Sequence, residues 1–118
     1  MRTLTIVAAL MLWSGVAEAE VAIKGFLSGN KLLEHCEKGG ASFAEGYCWG
    51  YVIGLADRSI SAENIERKSD PSPCISAGAT VRQMVRVTVK YLRENPGKLH
   101  LDAAQLVWKG LARAFPCH

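Results

Sequence analysis

The sequence predicts an all-α fold, a small four-helix bundle stapled by disulfides after a cleaved signal peptide. Three observations carry this expectation. Apolar residues recur at helical spacing in successive stretches; two of these open on a hydroxyl residue with Glu or Gln three positions later; and four cysteines follow an apolar N-terminal leader. The alternation over Val21 to Phe26 is too short for more than a weak strand pairing, and the chain has no internal repeat or low-complexity tract.

The leader comes first. Met1-Arg2 is a short positive start, Leu4 to Val16 is apolar apart from Thr5, Ser14 and Gly15, and Ala17-Glu18-Ala19 puts small residues at the cleavage positions. Residues 1–19 therefore read as a secretory signal peptide and residues 20–118 as one mature domain. The apolar run falls short of the ~20 residues that span a bilayer, so no membrane anchor is expected after cleavage. The whole chain has 118 residues with 14 Lys+Arg against 11 Asp+Glu, a formal charge of +3 that names no partner. A mature domain of this size buries only about 60 to 70% of its unfolded surface, so cross-links help it.

The first helix is expected from an Asn30 N-cap through Lys38, burying Leu32, Leu33 and Cys36, and Gly39-Gly40 stops it. Ser42 with Glu45 forms a capping-box pattern for the second helix, in which Phe43, Tyr47, Tyr51, Val52 and Leu55 fall close to one face. That helix carries Gly46, Gly50 and Gly54 at i, i+4 and i+8, each costing about 1 kcal/mol of helix propensity against Ala. So smooth a stripe lets another helix approach closely, either inside the monomer or as a homodimer seam with a second copy. Asp57, among apolar neighbours, is expected to be partly buried with a local hydrogen bond or an ion pair to Arg58 or Lys90.

From Arg58 to Pro73 the composition turns charged and small, and Asp70 to Pro73 must be a turn because two prolines flank Ser72. Thr80 with Gln83 opens the third helix, whose Val81, Val85, Val89 and Leu92 oppose Arg82, Arg86, Lys90 and Arg93. These cations read as a solvated face; no aromatic stacking set accompanies them, so no nucleic acid is expected. Asn95-Pro96-Gly97 ends the helix. The fourth runs from about Leu101 to Ala114, with Ala103, Leu106, Val107, Gly110, Leu111 and Ala114 on one side, before Pro116.

Cys36, Cys48, Cys74 and Cys117 survive cleavage, and an even count in an exported small domain reads as two disulfides, with three pairings open. A metal is not expected: His35 and His118 adjoin cysteines, but there is no C-x-x-C pair. No catalytic residue stands out, since His35, His100 and His118 lie in no recognised motif and no Gly-rich phosphate loop follows a strand. The chain is expected to have no cofactor and not to be an enzyme.

Several motifs then combine: Phe26-x-Ser28-Gly29-Asn30-x-Leu32 leading to Cys36, Cys48-x-Gly50-Tyr51-x-x-Gly54-x-x-Asp57, and Cys74-Ile75-x-x-Gly78-x-Thr80-x-x-Gln83. Lys90-Tyr91-Leu92-x-x-Asn95-Pro96, Leu99-His100 and Ala114-Phe115-Pro116-Cys117 complete the set. Together they resemble the Rap/Tai family of immunity proteins, over essentially the whole stretch from Phe26 to Cys117. Ser76 departs from the family's usual proline after Cys-Ile, which bears on the rigidity of the approach to the third helix.

The resemblance implies a periplasmic antitoxin, a homodimer of helical bundles that binds a type VI secretion peptidoglycan amidase effector and plugs its active-site cleft. The segment Ser61 to Ser72 is expected to reach the effector, with Ser61, Glu63, Glu66, Arg67, Lys68 and Asp70 giving orientation and charge complementarity. The alternative is a small periplasmic helical chaperone or envelope-stress protein. Of the three disulfide pairings, Cys36 with Cys117 and Cys48 with Cys74 is the one expected, tying the first helix to the tail and the polar loop to the second helix.

Overall fold

The computed structural model of the protein describes residues 25–61 and 72–117. The signal-peptide expectation, at residues 1–19, lies outside them. The described residues form four α-helices and no strand: α1 (Gly29–Glu37), α2 (Phe43–Ser61), α3 (Val81–Glu94) and α4 (Ala103–Ala114), with a 3-10 turn at Pro96–Lys98. The all-α reading of the sequence holds.

α1 starts two residues earlier than the Asn30 cap predicts. Ser28 is the N-cap, its hydroxyl accepting from the Lys31 amide at 3.3 Å. Long-range backbone bonds explain the shift: Gly29 and Asn30 donate to the carbonyls of Leu101 and Leu99 at 2.9 and 2.8 Å, and Ala103 donates to Leu27 at 2.8 Å. The start of α1 is thus hooked onto the turn before α4. Gly29 is needed there, because a Cβ would come within 2.4 Å of the Leu106 side chain and 3.0 Å of the Leu99 carbonyl. Asp102 precedes α4 but does not cap it; its carboxylate instead accepts from the Gly25 amide at 3.1 Å.

α1 and α2 form a hairpin around Gly40 and Ala41, both in the left-handed region at φ 87° and 55°. Ser42 accepts from the Glu45 amide at 3.2 Å, but the Glu45 carboxylate reaches past Ser42 to the Ala41 amide at 2.6 Å, so the expected box closes one residue early. At α3 the box is complete, with Thr80 and Gln83 each bonding the other's backbone at 3.2 and 2.7 Å.

The core gathers Leu32 of α1, Cys48, Val52 and Ala56 of α2, Met84, Val85, Tyr91 and Leu92 of α3, and Ala103, Leu106, Val107 and Leu111 of α4. α3 lies against α4 and α2, and α1 against α2. The close α3–α4 approach depends on Gly110, where a Cβ would meet the Tyr91 side chain at 3.0 Å.

The disulfides correct the expected pairing. Cys36 joins Cys48 and Cys74 joins Cys117, in place of Cys36–Cys117 and Cys48–Cys74. The hairpin is the reason: it lays the last turn of α1 against the first turns of α2. Cys74 is held beside the tail by its own amide, which donates to the Phe115 carbonyl at 2.8 Å. Each bond therefore staples neighbours already brought together by the backbone.

Candidate functional site

Of the residues expected to meet a partner, Ser61 ends α2, while Glu63, Glu66, Arg67, Lys68 and Asp70 lie outside the described residues. In chain order they fall between the end of α2 and Cys74, which is joined to Cys117 beyond α4.

α2 itself presents two unusual surfaces. Between Phe43 and Ala56 its only charged residue is Glu45, so the helix is apolar nearly all round. A helix of that pattern is ordinarily enclosed. Here its buried line is Cys48, Val52, Ala56 and Ser59, and the opposite side is open. Phe43 and Tyr47, expected near the core, are 86% and 40% exposed. The displacement has a simple cause: the Cys36–Cys48 bond turns the Cys48 side of the helix inward, which rotates Phe43 and Tyr47 towards solvent.

Gly46, Gly50 and Gly54 lie on this open side, and a Cβ added to any of them would meet nothing within 4 Å. Among the described residues, then, no element of the monomer packs against the stripe. Three interior glycines lower the propensity of α2 by about 3 kcal/mol in total. No contact among the described residues offsets that cost.

Beside the stripe runs an aromatic row. The Phe43 and Tyr47 rings are 6.3 Å apart, Tyr47 and Tyr51 stack at 6.5 Å with planes 13° apart, and His35 of α1 lies over Tyr47 at 4.7 Å. The His35 Nδ1 is buried without a hydrogen-bond partner among the described residues. Burial pushes the Tyr51 phenol above its ordinary pKa, with Tyr47 and Asp102 adding to the effect. Further along α2, Arg58 sits 5.5 Å over the Trp108 ring, a cation–π contact to α4. Asp57 is exposed and has no ion pair among the described residues, against the expected burial and pairing with Arg58 or Lys90.

The second surface is a groove of about 480 Å³ between α2 and α3. Buried Val85 and partly buried Trp49 and Val89 form its floor, and the exposed side chains of Arg82, Arg86 and Lys90 its rim. The basic stripe is thus the wall of a cleft rather than a free-standing polar face. Sequence reasoning missed this because the stripe's partner, Trp49, comes from another helix. The available signal was the low charge of α2 on every side, which leaves Trp49 no polar face to share.

Among the described residues no group of three or more His, Cys, Asp or Glu side chains is placed to hold a metal, and all four cysteines are disulfide-bonded. The arrangement is suited to protein recognition: apolar and aromatic area on a rigid helix, with cations at its border.

Comparison with known proteins agrees with that character. A family model described as Rap1a immunity proteins matches residues 28–117, from the N-cap of α1 to the last cysteine. No curated protein matches the chain.

Proposed function

The chain belongs to the Rap1a immunity protein family, and from that premise we propose that it is a periplasmic antitoxin against a type VI secretion effector that cleaves peptidoglycan as an amidase. It acts by occupying the effector's active-site cleft, without catalysis of its own. The observation that carries the reading is the extent of the family match, which takes in all four helices and all four cysteines.

Two features of the chain support the finer points. An effector delivered into the periplasm must be met there, and the leader at residues 1–19 together with two disulfides suits an exported, oxidised protein. Dimerisation is supported by the open Gly46–Gly50–Gly54 stripe with its aromatic border, a surface on which a second α2 can lie at close range. The effector is met by the segment from Ser61 to Ser72, with Glu63, Glu66, Arg67, Lys68 and Asp70 setting its charge pattern.

Periplasmic expression of each peptidoglycan-cleaving effector delivered by the producing cell's secretion apparatus tests the proposal. One of them is expected to lyse a host when expressed alone, to be silenced by co-expression of this protein, and to co-purify with it in a fixed ratio. Failure to protect against any of them overturns the reading.

A further inference from the structure

We propose that the groove between α2 and α3 is a docking site for an acidic amphipathic helix of a partner protein. The inference stands on the groove's own chemistry and does not depend on the partner being an amidase.

The cations of α3 have a regular layout. Arg82, Arg86 and Lys90 follow one another at i, i+4 and i+8, which places successive charges about 6 Å apart along the helix axis. Carboxylates one helical turn apart on a helix lying alongside α3 have the same pitch. Lys90 is 3.8 Å from Glu94, and Arg93 donates to Glu37 at 3.2 Å, so the lower end of the stripe is already partly neutralised. Arg82 and Arg86 have no ion-pair partner among the described residues. The unbalanced positive charge therefore sits at the Arg82–Arg86 end.

The floor asks for something else. Trp49 and Val89 are partly exposed beside those cations, with buried Val85 between them, and a volume of about 480 Å³ takes a few aliphatic side chains, not a whole helix. A third helix resting across two others contributes just that: one apolar stripe inserted, its backbone 8–10 Å from each neighbour, its acidic flank against the rim. Glu45, which also borders the groove, is fixed on the Ala41 amide and so does not fill the arginines' place. A mobile polyanion would use the cations but leave the tryptophan floor wet; a neutral apolar peptide would use the floor and leave two arginines unmatched. An acidic amphipathic helix satisfies both.

The test uses the mature protein and two labelled 15-residue peptides, one with Leu along one helical face and Glu along its flank, the other with every Glu replaced by Gln, read by fluorescence anisotropy. The Glu peptide is expected to bind at least tenfold more tightly, with affinity falling as salt rises. Arg82→Gln/Arg86→Gln and, separately, Trp49→Ser should each weaken it at least tenfold with the helical circular dichroism unchanged. Lys109→Gln/Arg113→Gln, which removes two exposed cations of α4, should leave it unaltered. Equal affinity for the two peptides, or equal loss from the α4 pair, overturns the proposal. So does preferential binding of phosphatidylglycerol vesicles through Arg82 and Arg86, or a loss of self-association in the Arg82→Gln/Arg86→Gln protein, since either gives the groove a different occupant.

Discussion

Thr88 lies in the middle of α3 with no exposed surface, and its hydroxyl has no hydrogen-bond partner among the described residues. A buried hydroxyl left unpaired forfeits its hydration with nothing in return, at a cost of about 1–3 kcal/mol. Thr88→Val keeps the shape and removes the polar atom, so urea unfolding should show a stability gain of about 1 kcal/mol; a loss would mean that the hydroxyl is satisfied in solution. Cys48 shows the other side of single-residue reasoning. Its oxidation is expected from an even cysteine count in a chain read as exported, but its partner depends on which helices meet, and a count carries no such information.

At the scale of elements, local rules worked where the controlling contacts are local. The Thr80–Gln83 box opens α3 where the sequence places it, and Ala103, Leu106, Val107, Gly110 and Leu111 form the buried side of α4 as their spacing requires. They failed where a distant segment decides. α1 begins at Gly29 because the backbone of Leu99 and Leu101 takes its first amides, and α2 turns Phe43 and Tyr47 outward because Cys48 is tied to Cys36. The basic side of α3 was legible as a stripe, yet its place beside Trp49 is a property of two helices together. Both disulfides close loops, of 12 and 43 residues in sequence separation. In the chain-entropy model their removal costs about 3 and about 4 kcal/mol. Cys74→Ala/Cys117→Ala should therefore lower the unfolding midpoint while keeping the helical spectrum, because the four-helix core does not pass through that bond. Collapse of helicity at low temperature would show that the tail organises the bundle.

Among the described residues the bundle leaves the glycine side of its longest helix, α2, uncovered. Glycines at three exposed helical positions make no close contact among the described residues, so replacing them should help the helix: Gly50→Ala and Gly54→Ala are each expected to stabilise the chain by about 1 kcal/mol in thermal or urea unfolding. Gly50→Glu should keep the fold, since a Cβ there meets nothing within 4 Å among the described residues, but abolish dimers in sedimentation analysis at micromolar concentration. A charged variant that still dimerises would place the seam elsewhere. The proposed occlusion of an effector needs only rigid, complementary area.

The most direct measurement of that central claim is a competition between siblings. Cells lacking this gene are grown on a surface with their parent, and survivors are counted with and without a working secretion apparatus in the parent. The account predicts death of the mutant only when the parent secretes, with rescue by the exported protein and no rescue by a version lacking residues 1–19. Equal survival of the mutant beside secreting and non-secreting parents would contradict it.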